Sequence, residues 1–285
     1  MPYGSNLYAN ISSYVNTIYD GALLVMREET LAPSIVRVFS DKQGMAVRDN
    51  SQYGTATMNS IGEADDLTSQ VFTPSSIATL TPAEYGAQFL LTDQRVESDP
   101  FSVQSDAASE LGASMAEGID TNVFGNFSSL TGGTVGASGS AISWTYFFNA
   151  VALLDATHAP RPYVAVMHPY QWVILQRAAG VAGSATNVSE YLKDAADRNF
   201  FAGVVGGVQI YTHSNVQTVS TDSYMGMWSL RRPAIALDMR RAPRLERERD
   251  ASRRAWELNM TGVYAHGVWE PAKGVHGIFA KTTPA

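Results

Sequence analysis

The sequence predicts an α+β fold arranged around one long helix, and three observations support that class. Residues 99–127 repeat apolar side chains every four positions, which places them on one face of a helix. Residues 144–178 alternate helical and strand patterns, and the last third of the chain is rich in strand patterns. We therefore expect β-sheets packed around a central helix.

The predicted long helix has recognisable ends. Asp99 suits the N-cap position, Pro100 suits the first helical position, and Gly125 favours termination. Its apolar stripe consists of Val103, Ala107, Leu111, Met115, Ile119 and Val123. Because the stretch contains no His, Cys, Lys or Arg, we expect a structural role for it.

Composition restricts the class of protein. With 285 residues and 45% hydrophobic content, the chain is long and apolar enough for a substantial core. It contains no cysteine, which excludes disulfides and thiolate metal ligands and fits a reducing compartment. The first residues, MPYGSNLYANISSY, lack the pattern of a secretory signal, and no apolar run reaches the length of a membrane span.

The net charge of −7 is distributed unevenly. Residues 231–254 contain nine Arg and four acidic residues, whereas residues 45–99 contain eight acidic residues and two Arg. Because Arg forms forked contacts with carboxylates, we interpret the Arg-rich run as a subunit interface. Plain surface and nucleic-acid binding remain alternatives, although Glu246, Glu248 and Asp250 interrupt the positive charge.

The N-terminal residues predict a separate helix. Apolar residues recur at helical spacing from Leu7 to Val25, and Pro33 is expected to end the pattern before a short strand at 35–39. This helix is either an arm that lies on a neighbouring subunit or a helix packed on its own core.

Residues 41–98 are unusually polar for a segment of this length. Faint alternation occurs at 55–61 and 67–72, and clearer strand patterns follow at 77–81 and 85–92. Because a two-stranded hairpin alone is marginally stable in water, we interpret the segment as a projecting hairpin that leans on another subunit. A surface β-meander on its own domain is the alternative.

The middle of the chain predicts a second domain. Residues 128–141 are rich in Gly and Ser, which indicates a flexible connector. A helix at 144–154, a strand at 163–167 and a helix that begins at Pro169 follow, as is typical of an α/β layer. A short helix is expected near 190–197.

The last third predicts mainly strands. A tight turn at Gly206-Gly207 indicates a hairpin, and strands are expected at 224–230, 234–239, 256–268 and 274–280. We expect these strands to return to the long helix, which makes one domain discontinuous in sequence.

The chain contains none of the phosphate-binding, dinucleotide-binding, zinc-protease or nucleophile-elbow motifs. His266 and His276 flank Glu270, but histidines of a turn or sheet are the favoured interpretation. Oxygen ligands for a cation are offered by Glu63, Asp65 and Asp66, where a solvated acidic loop is favoured. We therefore predict no catalytic residue, no metal and no cofactor.

Several segments together resemble the major capsid proteins of tailed bacteriophages. The strand-into-helix stretch of that family is similar to ATLTPAEYGAQFLLTDQRVESDP in this chain. The end of the family's spine helix is similar to AEGIDTNVFGNF. Its A-domain helix, strand, turn and helix resemble WTYFFNAVALLDATHAPRPYVAVMHPYQWVILQRA. Its closing strands resemble GVYAHGVWEPAKGVHGIFA. The resemblance runs in order over about residues 30–282.

The resemblance implies the tailed-phage capsid fold of the Hong Kong phage type. It implies an N-terminal arm at 1–40, an extended hairpin called the E-loop at 41–98, and an A-domain at 140–225. The P-domain would combine 99–139, with the spine helix, and 226–285. The implied function is a virion coat protein whose pentamers and hexamers form an icosahedral shell around double-stranded phage DNA, assembled in the bacterial cytoplasm.

The resemblance also bears on partners. Some members crosslink an E-loop Lys to an Asn, but here only Lys42 lies near the loop, so no crosslink is expected. Scaffolding is expected to be a separate protein or a segment already removed, beside portal and decoration proteins. The alternatives are a phage-derived nanocompartment shell and a soluble α/β enzyme with an unrecognised site.

The opposed charges of two segments suggest a specific contact between copies. We expect the acidic residues of the hairpin, Glu63, Asp65 and Asp66, to contact Arg residues of a neighbouring P-domain. The candidate partners are Arg240, Arg241, Arg244, Arg247, Arg249, Arg253 and Arg254. Exposed ion pairs contribute little free energy, so register and specificity are the expected gain.

Overall fold

The computed structural model describes residues 30–53, 56–63, 65–67, 69–98, 103–181 and 201–282. Helices in these ranges are α1 (Ala32–Ile35), α2 (Asp93–Ser98), α3 (Val103–Phe124), α4 (Trp144–Ala156) and α5 (Pro169–Val181), with 3-10 turns at Phe127–Ser129 and Pro271–Lys273. The first strands are β1 (Arg37–Phe39), β2 (Arg48–Tyr53), β3 (Pro74–Leu80), β4 (Ala83–Thr92), β5 (Thr134–Gly136), β6 (Tyr163–Met167) and β7 (Phe201–Val205). The remaining strands are β8 (Val208–Thr212), β9 (Thr218–Val219), β10 (Asp222–Ser229), β11 (Ile235–Asp250), β12 (Ala255–Val268) and β13 (Gly274–Ala280).

The long helix predicted from sequence is α3, and its apolar stripe is buried as expected. Leu111, Met115, Ile119 and Val123 are all buried. Val103 and Ala107 extend the stripe and pack against a small cluster around Leu91, Leu111 and Leu258. The predicted cap residues Asp99 and Pro100 lie outside the described residues.

The helix α3 packs on a four-stranded sheet with the order β1-β11-β12-β4. β11 and β12 form a long antiparallel ribbon, and β4 pairs antiparallel with β12 over ten residues. The alternating pattern predicted for 256–268 is therefore confirmed as one long strand. Residues 83–98, assigned from sequence to the extended loop, lie in this sheet and in α2.

A second sheet contains seven strands, ordered β5-β13-β10-β6-β8-β7 with β9 beside β10. The predicted helix–strand–helix unit is confirmed as α4, β6 and α5, and the predicted Gly206-Gly207 turn joins the antiparallel strands β7 and β8. α4 packs on the sheet around the buried side chains of Phe147, Leu154 and Phe279.

The end of α3 joins the two sheets. Phe124 and Phe127 are fully buried beside Trp228 of the second sheet and Tyr264 of the first. Gly226 permits this contact, because a Cβ atom there would lie 2.8 Å from the Phe127 ring. The two sheets therefore share one hydrophobic core with the helix between them.

Two local predictions were wrong, and one strand is shorter than predicted. The strand predicted at 35–39 is present over Arg37–Phe39, and Pro33, before which the N-terminal helix was expected to end, lies in the separate short helix α1 because proline is tolerated in the first helical turn. The described residues of 55–61 and 67–72 form no strand, and the hairpin strands are β2 and β3. The connector predicted at 128–141 carries β5, because its Gly-rich residues approach β13 closely enough to pair with it.

Two predicted helices, at Leu7–Val25 and near 190–197, lie outside the described residues. Among the described residues, no helix combines the length and the apolarity that crossing a membrane requires.

Candidate assembly surfaces

The tip of the β2–β3 hairpin carries apolar side chains that water reaches. Met58 is 97% exposed and Val71 is 84% exposed. Tyr53 and Phe72 stack on each other with ring centroids 4.5 Å apart, yet both remain more than half exposed. Such a patch on a small hairpin is typical of a surface that contacts another protein.

The three predicted acidic residues lie at this tip. Glu63, Asp65 and Asp66 are all exposed. A carboxylate oxygen of Asp65 accepts from the Gly62 N–H at 3.2 Å, which forms a local turn. Among the described residues, no group of three potential ligands could hold a metal ion.

The root of the hairpin is fixed to the four-stranded sheet by buried charge. The carboxylate of Asp238, on β11, is fully buried and lies 2.8 Å from Arg48 Nε and 2.8 Å from Arg240 Nη2. Arg48 also pairs with the exposed carboxylate of Asp41. The guanidinium of Arg48 lies 4.3 Å from the centroid of the Phe39 ring.

Backbone and apolar contacts strengthen the same root. The Asn50 side-chain amide donates to the Trp269 carbonyl at 2.6 Å. Leu80, at the end of β3, is fully buried beside Ala236, Ala265 and Trp269. The hairpin therefore has a fixed base and an exposed tip.

The Arg-rich run lies mostly in β11, where strand alternation separates its charges. Leu245, Arg247 and Arg249 lie on the face that carries Leu258, whereas Glu246 and Glu248 lie on the opposite face. The three acids that interrupt the positive charge, Glu246, Glu248 and Asp250, lie on the face opposite Arg247 and Arg249, and Glu246 pairs there with Arg244.

Several of the predicted Arg residues already have partners in their own chain. Arg240 is buried with Asp238, Arg241 pairs with Glu84, and Arg249 pairs with Asp93. Arg244 pairs with Glu246, and Arg253 contacts Asp250 and Glu257. Among the described residues, no ion pair joins Arg247 or Arg254 to a carboxylate, and Arg247 lies over the Trp256 ring at 5.8 Å.

The two histidines considered as a metal pair lie in different sheets. His266, on β12, accepts from Asn126 Nδ2 at 3.0 Å and contacts Tyr85 Oη at 3.3 Å. Burial lowers its pKa from the ordinary value of 6.5. His276, on β13, instead lies 2.8 Å from the Leu130 carbonyl.

The first described residues are held by a buried carboxylate on α3. Asp120 is 1% exposed and accepts from the backbone N–H groups of Leu31 at 2.7 Å and Ala32 at 3.0 Å. His213 Nε2 lies 3.1 Å from the same carboxylate. Asp120 thus fixes the point at which the N-terminal residues meet the long helix.

Sequence reasoning missed both the exposed apolar tip and Asp120. The tip carries only the faint alternation noted at 55–61 and 67–72, which did not indicate that its apolar side chains are exposed together. Asp120 lies next to the apolar stripe of α3, and an acidic residue in a helix ordinarily indicates a solvated face.

The chain matches the family model described as phage capsid protein over residues 77–277. A structure from Mycobacterium phage Che8 is 15% identical with a TM-score of 0.69, covering 87% of this chain and 91% of that chain. The capsid of Ralstonia phage GP4 is 11% identical with a TM-score of 0.70, covering 91% and 93%. The capsid of cyanophage P-SCSP1u is 14% identical with a TM-score of 0.65, covering 90% of each chain.

No curated protein matches the sequence. At these identities the structural matches establish a shared fold, which confirms the α+β capsid fold expected from sequence. The family model covers more than two thirds of the chain. The chain belongs to the phage capsid protein family and is a structural protein of the phage shell.

Proposed function

We propose that the chain is the major capsid protein of a tailed phage, whose pentamers and hexamers close into an icosahedral shell around double-stranded DNA. The observation that carries the proposal is the family match over residues 77–277. A structural match of 14% identity and TM-score 0.62, the capsid of a native GTA particle computed with C5 symmetry, supports fivefold assembly.

The shape of the protomer supports assembly with copies of itself. Its hairpin exposes apolar side chains at the tip while its root is fixed by buried contacts. Closed shells require one subunit to make several different contacts that close by symmetry. A fixed hairpin with an apolar tip supplies one such contact without a larger core.

We assign the segments by their expected roles in the shell. Residues 1–40 form an N-terminal arm, 41–98 the E-loop, whose last part at 83–98 returns to the four-stranded sheet as β4 and α2, and 140–225 the A-domain at the capsomer centre. Residues 99–139 and 226–285 form the P-domain around α3. The shared core of the two sheets favours rigid coupling between the P-domain and the A-domain.

We further propose that the acidic tip of one copy, at Glu63, Asp65 and Asp66, contacts the Arg face of a neighbouring P-domain. Arg247 and Arg254 are favoured within the predicted set because both are exposed and neither has an ion pair among the described residues. Arg240 is disfavoured because it is buried against Asp238.

A charge reversal tests this contact. The double variant Asp65→Lys and Asp66→Lys should impair assembly while leaving the protomer folded, and adding Arg247→Glu and Arg254→Glu should restore part of it. Glu97→Lys is the control, because Glu97 is an exposed acidic residue outside the tip. Normal particles from the double variant would refute the pairing.

The proposed partners of the shell are packaged DNA, touched without sequence preference, and separate scaffolding, portal and decoration proteins. A net charge of −7 fits loose contact with DNA, since tight phosphate binding would oppose DNA exit. Assembly would take place in the host cytoplasm.

Imaging of the expressed chain tests the shell itself. We expect closed particles of megadalton mass in size-exclusion chromatography and electron microscopy. A small oligomer with no rings or shells would overturn the proposal. Particles that hold an enzyme instead of DNA would reassign the protein to a nanocompartment.

A further inference from the structure

Strand β4 forms one edge of the four-stranded sheet. It pairs with β12 on one side, and no strand among the described residues pairs with its other side. Its ten residues make it far longer than β1, the three-residue strand at the opposite edge. Unpaired N–H and C=O groups along such an edge are a template for another strand.

This edge lacks the features that ordinarily prevent strand addition. Its register with β12 runs without a shift from Ala83 to Thr92. β4 contains no proline and no lysine, and its only charged residue, Glu84, pairs with Arg241. The inner strand β11 by contrast carries two register shifts around Pro243. The register shifts therefore lie in an inner strand, where they do not prevent another strand from pairing with the free edge of β4.

One hydrogen bond identifies which backbone groups of β4 point outward. The Asp93 N–H donates to the Arg254 carbonyl at 2.9 Å, and this pair continues the β4–β12 register one residue beyond the ladder, so it sets the phase of the hydrogen-bonded pairs. Hydrogen-bonded and non-hydrogen-bonded pairs alternate along an antiparallel ladder. The outward N–H groups therefore belong to Glu84, Gly86, Gln88, Leu90 and Thr92, all of which are exposed.

We propose that the free edge of β4 adds a strand from a second copy of this chain. Phe89 and Leu90 lie on opposite faces near the middle of the edge and are 39% and 44% exposed, so an added strand finds apolar side chains on both faces. The inference rests on the proposed function, because a shell supplies many copies at short distance.

The second copy also offers a suitable strand. Among the described residues, each strand of its hairpin, β2 and β3, pairs on one side only. β3 contains no charged residue, and its Ile77 is 40% exposed. A neutral strand of seven residues matches the neutral part of the β4 edge in length and chemistry.

The variant Gln88→Pro tests the proposal with little effect on the sheet itself. Proline removes the outward N–H of residue 88 and places its ring in the path of an added strand, while the bonds to β12 come from the odd-numbered neighbours. Gln88→Ala is the matched control, because it loses the same side-chain contact with Glu257 but keeps the N–H.

We expect Gln88→Pro to lower particle yield by at least about tenfold relative to Gln88→Ala, since a lost hydrogen bond and a steric clash weaken one contact by about that factor. Hydrogen exchange should agree: the outward N–H groups of β4 should become protected only in assembled wild-type particles. Equal yields from the two variants, or outward groups that exchange fast within particles, would overturn the edge contact and leave the shell function intact. Failure of the unaltered chain to form particles would overturn both.

Discussion

The two halves of the β11–β12 ribbon share one backbone ladder but have different surroundings. Residues 235–238 on β11 are fully buried between α3, the seven-stranded sheet and the root of the hairpin. Farther along the same strand, Leu245 is 41% exposed and its neighbours are charged. Register shifts between Met239 and Arg244 separate the two halves.

The difference in burial indicates that the two halves contribute unequally to the stability of the protomer. Backbone hydrogen bonds contribute little net free energy, because the unfolded chain bonds to water instead, whereas buried apolar surface contributes about 25 cal/mol per Å². The proximal half, residues 235–239, should therefore carry the stability of the protomer. The distal half, residues 244–250, keeps its shape through the ladder, and its exposed Arg247 is among the residues proposed to contact other copies.

The largest expected effect is in the proximal half, at Asp238. The variant Asp238→Asn leaves Arg48 and Arg240 without their shared buried counter-charge. Breaking a buried pair from one side costs about 3–5 kcal/mol, so the free energy of unfolding should fall by that amount. Denaturant unfolding of the unassembled protomer measures it.

Asp41→Asn is the control for this variant, because Asp41 contacts the same Arg48 but is exposed. It should unfold close to the wild type. If the two variants lost equal stability, the buried position of Asp238 would not be the cause, and the contrast between the halves would weaken.

The next largest change in the free energy of unfolding is expected from truncating one of two leucines on β11. Leu237 is fully buried and Leu245 is 41% exposed. Leu237→Ala should lower the free energy of unfolding by about 2–5 kcal/mol, as truncations in packed cores do. Leu245→Ala should cost less than about 1 kcal/mol. Thermal unfolding of both variants measures the difference, and equal losses would contradict it.

The long helix and the long strand β12 were predictable from sequence, and much of the exposed hairpin was not. The stripe from Leu111 to Val123 and the alternation of 256–268 are periodic signals that burial on one face produces directly. Of the two hairpin strands, β3 overlaps the strand pattern predicted at 77–81, whereas β2 is exposed along most of both faces and carries no hydrophobic alternation that could mark it. Their positions follow from backbone pairing and from the buried root at Leu80, which are long-range contacts.

The separation of charge on β11 was only partly predictable from sequence. The alternation of Arg247, Glu248 and Arg249 was present in the sequence. It acquires its meaning only once the segment is known to be a strand, because in a helix or loop the same residues would mix on one surface. The buried Arg240 was not predictable, since the burial of Asp238, which it contacts, depends on the long-range packing of the hairpin root.

Acid should weaken the proximal half first. Burial lowers the pKa of His266 from its ordinary value of 6.5. Between the lowered pKa and 6.5, His266 is therefore protonated in the unfolded chain and neutral in the folded chain. Stability is therefore full above pH 6.5 and declines as pH falls through that value. The distal pair differs, because the hydrogen bond from Arg249 lowers the pKa of Asp93 below 3.8, so that pair persists until stronger acid.

Hydrogen exchange at several pH values checks this order. As pH falls from 6.5 toward 3.8, amides of β12 near His266 should lose protection while those facing Asp93 keep it, and His266→Gln should remove the difference. His168 adds to the global pH dependence, because burial lowers its pKa to about 4, but it lies beyond β6 in the other sheet. If the amides facing Asp93 lost protection at a higher pH than those near His266, the expected order would be wrong.

The smallest expected effect on folding is at Arg249. Its guanidinium makes two hydrogen bonds to the carboxylate of Asp93, at 2.5 and 2.6 Å, a geometry that would be strong if buried. Both side chains are about one third exposed, so water and salt screen the pair. Arg249→Gln should therefore leave the unfolding midpoint of the protomer unchanged within error. Arg247→Gln is the matched control, because it removes the same charge from the same face without breaking an ion pair seen among the described residues. A fall in midpoint for Arg249→Gln comparable to that of Leu237→Ala would mean that the distal half also holds the fold together.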